Sequence, residues 1–144
     1  GLRLDPAHLA ALPPPRQRAL LKRYARDRGG HCIVVLTAFL VPSLPLPTLA
    51  LVLSAGALFM FIDDHGDCFT DRRDGRLTYM NQVQRPEQVL HRIVFAHFAR
   101  LVTGLPANEG RDLLLGFLLR YYLTRLDKHR LQRGKAGSAW DAFE

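Results

Sequence analysis

Long apolar runs alternate with short polar breaks along this chain, and the breaks hold its prolines. Asp5-Pro6 pairs an N-cap with a first-turn proline and predicts a short helix over 6–12. Pro13, Pro14 and Pro15 end it, and a second helix runs from Pro15 to Arg26 with Ala19, Leu20 and Tyr24 facing inward, closed by Gly29-Gly30. Residues 32–41, CIVVLTAFLV, are β-branched enough for a strand, but no partner strand is in sight, so they read as a buried helix. Pro42, Pro45 and Pro47 form a rigid turn. Thr48 then caps helix 49–62, whose small residues Ser54, Ala55, Gly56 and Ala57 would let another helix approach closely.

Arg85-Pro86 closes a polar loop onto helix 87–102, which places Val89, Leu90, Ile93, Val94, Ala96, Phe98 and Leu101 on one broad face. Asn108 caps helix 108–132, with a stripe of Leu114, Leu115, Leu118, Leu119, Tyr122 and Leu126 wide enough to meet a second chain as well as the core. Residues 134–144 form a small-residue C-terminal tail with Trp140 and Phe143. The expected fold is all-α: a bundle of five or six helices, one domain over 1–144.

From the end of the fourth of these helices toward the fifth runs FMFIDDHGDCFTDRRDGRLTY, Phe59 to Tyr79, where an apolar helix meets five aspartates. Asp63, Asp67, Asp71 and Asp74 are spaced 4, 4 and 3. At about 3.6 residues per turn they share one helix face, with Asp64 beside the first. Clustered carboxylates repel one another and resist burial, so the strip calls for a cation. Mg²⁺ suits it, being held by one or two carboxylates together with substrate phosphates. Arg72, Arg73 and Arg76 follow at once, and guanidinium forks suit phosphate oxygens. The plainer alternative is a solvated helix end, although acidic residues there oppose the macrodipole.

The stretch resembles the second aspartate-rich motif of the class I isoprenoid synthases, chiefly the squalene/phytoene synthase branch. Gly56, Asp67, Asp71, Gly75 and Arg76 fall in its register, with Tyr79 one residue late, and Asp63, Asp64 and Asp67 match the DDxxD of trans-prenyltransferases. The resemblance implies a helical isoprenoid-synthase fold that binds a prenyl diphosphate for prenyl transfer or diphosphate ionisation. It implies Mg²⁺ on Asp63, Asp64, Asp67 and Asp71, with Asp63, Asp67 and Asp71 catalytic. Arg72, Arg73 and Arg76 become diphosphate contacts, and Gly56 a point of close helix packing. No DxxxD or DDxxD precedes Leu58, so the chain carries one acidic motif of two and reads as a fragment or half of a larger domain, a partner in a composite site, or a protein that has lost the chemistry.

Charge adds a second theme. The net charge is +7, with seven basic and two acidic residues over 1–30 and six basic and one acidic over 120–135. Such ends attract polyanions. Nucleic acid is nonetheless disfavoured, because no helix-turn-helix, zinc-finger or RNP pattern accompanies the charge; anionic lipid headgroups suit it at the periphery of a membrane. Leu44 to Ile62 is a nineteen-residue run without charge. Its prolines leave a usable helix of roughly 22 Å, short of a hydrocarbon core about 30 Å thick. Two cysteines make no disulfide framework; Cys32 reads as a small core residue, and a reducing cytosol as the compartment. Zinc on His65, Asp67 and Cys68, or a calcium loop at Asp74-Gly75, matches no standard spacing. Two non-enzymatic readings stand beside the isoprenoid one: a module that oligomerises or binds a partner through helix 108–132, and a membrane-associated helical protein.

Overall fold

A computed structural model describes residues 5–40, 43 and 45–136 of the chain. Among them are six α-helices and no strand: α1 (Pro6–Ala10), α2 (Pro14–Leu40), α3 (Leu46–Gly66), α4 (Cys68–Arg73), α5 (Pro86–Gly104) and α6 (Glu109–Ala136), with a 3₁₀ turn over Met80–Gln82. The fold is the expected all-α bundle. Two expected caps form: Asp5 Oδ1 accepts from the Ala7 amide at 3.0 Å, and Asn108 Oδ1 from the Arg111 amide at 2.9 Å.

α3 is the hub, packed against α2, α5 and α6. Its Leu58 and Ile62 are fully buried, and around them close Ala25, Met80, Leu90, Leu101, Leu118, Tyr122 and Leu126. α3 is also the one helix among the described residues long and apolar enough to cross a membrane. In this fold its centre serves as the core of the bundle.

Several boundaries differ from expectation. Gly29-Gly30 does not end a helix; segment 15–26 and the apolar run from Cys32 as far as Leu40 are one helix, α2. The reason is tertiary. A Cβ on Gly29 would lie 2.2 Å from the Gly56 carbonyl oxygen, and one on Gly56 would lie 2.3 Å from that of Gly29. The two backbones touch where α2 crosses α3, so glycine is needed inside both helices despite costing about 1 kcal/mol of helix propensity. The crossing turns Leu21 and Ala25 into the core rather than Ala19, and leaves Cys32 exposed. α3 starts at Leu46, ahead of Thr48, with Pro45 at the cap and Pro47 in the first turn, where a missing amide loses no helical bond. α6 continues to Ala136, so the start of the proposed tail is helical; Trp140 and Phe143 lie outside the described residues, as does Pro42.

Candidate functional site

The acidic stretch does not form one continuous helix. α3 ends at Gly66, Asp67 takes a non-helical conformation (φ −102°, ψ 1°), and α4 begins at Cys68. The carboxylates consequently meet different partners. Asp63 and Asp67 face α6: Tyr121 donates its hydroxyl to Asp63 Oδ1 at 2.6 Å, and Lys128 donates to Asp67 Oδ1. One guanidinium bridges the two, with Arg125 Nη2 on Asp63 Oδ1 and Nη1 3.5 Å from Asp67 Oδ1. Arg125 Nε also donates to the Tyr121 hydroxyl at 3.0 Å. Gly66 makes this possible: a Cβ there would stand 2.7 Å from Arg125 Cδ, so the missing side chain is the bed for the arginine stem.

Asp64 turns the other way, to Arg28 of α2 at 3.3 Å. Burial raises its carboxyl to about 7, and Arg28 only partly offsets this. The neighbouring Asp71, Asp63 and Asp67 raise it further. Asp71 is buried and pairs with Arg76 at 3.5 Å. Burial, then Asp67, pushes its carboxyl up. The pairing is a product of local folding. Gly75, at φ +70°, closes α4 in a Schellman turn, with the Arg76 amide on the Asp71 carbonyl at 2.7 Å and the Gly75 amide on that of Arg72 at 3.1 Å. The turn brings Arg76 back beside Asp71. Asn81 then fixes the outgoing loop, donating to the Arg76 carbonyl at 2.7 Å and accepting from the Thr78 amide at 3.0 Å. Asp74 is exposed beside Arg73 at 3.1 Å, and Arg72 is exposed on α4.

Below Asp63, one helical turn back, begins an aromatic wall. Phe59 stacks on Tyr121 with ring centroids 4.3 Å apart and planes 9° off parallel, and Phe117 stacks alongside both, at 6.3 and 6.2 Å. A groove of about 340 Å³ runs over Phe117, Arg120, Tyr121 and Thr124. Burial and the bond to Asp63 hold the Tyr121 hydroxyl up at about 12, so it stays a donor across the physiological range.

The cation that the acidic strip requires is thus supplied from within the chain by Arg125, Lys128, Arg28 and Arg76. Among the described residues no three His, Cys, Asp or Glu side chains are placed to hold one metal ion, the zinc trio His65, Asp67 and Cys68 included. Burial keeps the Cys68 thiol protonated, pushing it up to about 12. Two carboxylates sharing one cation do match what Mg²⁺ ordinarily takes from a protein, the remaining oxygens coming from water and ligand. Asp63 and Asp67, joined here by the Arg125 guanidinium, are the pair that could hold such an ion.

Tyr121, Arg125 and Lys128 are the partners that the acidic motif alone does not reveal. Their spacing of 4 and 3 on α6 mirrors the spacing of 4 between Asp63 and Asp67, a signal that becomes legible only once the two helices are known to face each other. Comparisons with protein-family profiles, with curated proteins and with solved structures return no match for this chain.

Proposed function

We propose that the Asp63–Asp67 face binds the diphosphate head of a prenyl ester with Mg²⁺ as cofactor, for prenyl transfer or diphosphate ionisation. The observation that carries this reading is the Arg125 guanidinium shared by two carboxylates at the rim of an aromatic wall. Two acids and two bases gathered in one place can exchange partners without leaving a charge unpaired. Asp63 and Asp67 would take the metal, while Arg125 and Lys128 would turn to phosphate oxygens, which guanidinium and ammonium groups bind well. Bound there, Mg²⁺ supplies charge stabilisation to a departing diphosphate. Tyr121 holds Asp63 in place, and the rings of Phe59, Phe117 and Tyr121 offer an apolar flank whose π-faces also favour positive charge.

This reading shifts the phosphate contacts from Arg72, Arg73 and Arg76 to α6. Arg73 and Arg76 serve Asp74 and Asp71, so Asp71 acts as an anchor for the loop. Titration calorimetry with a prenyl diphosphate, with and without Mg²⁺, tests the proposal. Metal-dependent binding should weaken at least tenfold in Asp67→Ala. Binding indifferent to Mg²⁺, or unchanged in that variant, would sink it.

One observation favours a second reading, a helical module that docks on another chain. Leu113, Phe117 and Leu123 of α6 are 74, 56 and 49% exposed.

A further inference from the structure

Every buried residue of α3 lies at Ser54 or beyond. The turns before it, Leu46 to Leu53, read LPTLALVL and stay outside the core, with Leu46 79% exposed. α2 runs antiparallel to α3: Arg28 meets Asp64, Gly29 meets Gly56 and Gly30 meets Leu53. Past Gly30 it therefore travels beside the start of α3, where Val35 and Leu36 are 56 and 57% exposed. The end of α5 arrives at the same place, with Gly104 against Leu51 and Val102 exposed. Large apolar side chains from three helices thus face outward at one tip of the bundle, the end of α3 away from Asp63 and Asp67.

The chemistry of this tip fits hydrocarbon better than protein. Between Arg28 and Asp63 the sequence has no Asp, Glu, Lys or Arg. Interfaces between proteins carry hydrogen bonds and a polar rim, whereas hydrocarbon penalises any charge. The backbone is suited as well. α3 opens with Pro45 at the cap and Pro47 in the first turn, so two of the four amides that a helix start leaves unbonded do not exist. Thr37 of α2 spends its hydroxyl on the Ile33 carbonyl at 2.7 Å. The height also matches. Leu46 to Leu53 rises about 10 Å, and interfacial segments sink about 5–10 Å into a bilayer.

Charge begins where that rise ends. Arg26, Asp27 and Arg100 gather with His31 around Leu53 and Ala57. Asp27 is held by Arg23 and Arg26 at 3.5 and 3.2 Å, so the balance of this collar is basic, as headgroup phosphates favour. α6, which carries Glu109 and Asp112 at its start, meets α3 further on, at Phe59, Asp63 and Asp67.

We propose that this tip is a membrane-docking surface. The end of α2 and the start of α3 sink into one leaflet of a lipid bilayer without crossing it, and the Arg26–Arg100 collar rests among the headgroups. The inference stands apart from the diphosphate reading, since it uses no residue of the Asp63–Asp67 face.

Flotation with phosphatidylcholine vesicles in about 0.5 M salt, where attraction between surface charges is screened, tests it without Mg²⁺ or diphosphate. The chain should float with the vesicles. Leu36→Glu together with Leu46→Glu should cut the partition coefficient at least tenfold. Leu131→Glu, at an exposed position in the last turns of α6, should leave it within twofold. Circular dichroism melts confirm that the variants are folded. Depth is read in Leu46→Trp combined with Trp140→Phe, which removes the native tryptophan. Lipids brominated near the headgroup end of the acyl chain should quench its fluorescence more than lipids brominated at the chain ends. A chain that stays in the aqueous fraction, a double variant that binds like the parent, an equal loss in Leu131→Glu, or strongest quenching from the bilayer centre overturns the proposal. So does an oligomer, seen by light scattering, that the double variant breaks in the absence of any vesicle binding; that result assigns the tip to a second copy.

Discussion

Asp64 and His65 are neighbours in the last turn of α3, both buried, and their protonation is displaced in opposite senses. Burial raises Asp64 from 3.8 to about 7 and lowers His65 from 6.5 to about 3, with His129 adding to the depression. The carboxyl whose folded value is raised contributes stability below pH 4 that is lost as pH climbs to about 7. The imidazole whose folded value is depressed contributes stability above 6.5 that is lost as pH falls towards about 3. Between about pH 4 and 6.5 the two slopes oppose each other, so the contributions of Asp64 and His65 to the parent chain's melting temperature should largely cancel. Thermal melts across that window should expose each limb alone: Asp64→Asn melts higher as pH rises, and His65→Leu melts lower. Parallel curves for all three chains would contradict these environments. None of this was visible in the residue pattern, where Asp64 reads as one more carboxylate of the strip and His65 enters only through a zinc trio of non-standard spacing. Burial is a property of the assembled helices, and it separates two residues that composition treats alike.

At the scale of the helix, glycine is where local propensity and tertiary packing disagree. Gly29, Gly30, Gly56 and Gly66 all look like weak points by propensity, and the pair at 29–30 reads as a stop. The fold uses Gly29 and Gly56 as the contact between α2 and α3, and Gly66 as room for Arg125. Gly56→Ala should therefore destabilise by about 2 kcal/mol or more, since backbone atoms rather than flexible side chains would have to give way. Gly116 is the control: a Cβ there meets nothing within 4 Å. Gly116→Ala should stabilise α6 by up to about 1 kcal/mol. Chemical denaturation of both variants checks the contrast, and similar effects of the same sign would refute the helix crossing. The sequence did announce that Ser54 to Ala57 would admit a close neighbour, and that neighbour is α2. It could not announce that two helices read as separate are one, because that depends on what lies across from the glycines.

For the whole molecule, the outer face of α6 matters most. Leu113, Phe117 and Leu123 are exposed while Leu118, Tyr122 and Leu126, on the same helix, are buried. Apolar exposure of that kind marks surfaces that meet partners. If the face meets a second copy, light scattering on dilution should show an oligomer that Leu113→Glu together with Phe117→Glu dissociates; a monomer at every concentration removes that occupant. What the amino-acid order determined by itself is the helical class, the caps at Asp5 and Asn108, and the gathering of acid at the end of the most apolar helix. Each of these rests on contacts a few residues apart in the chain, where side-chain chemistry and helical periodicity are sufficient. Only the tertiary structure decided which carboxylate meets which cation. Asp63 and Asp67 lie some sixty residues from Arg125 and Lys128, and Asp64 lies 36 from Arg28. Charges so far apart in sequence become neighbours only through the way α3 is buried among α2, α5 and α6.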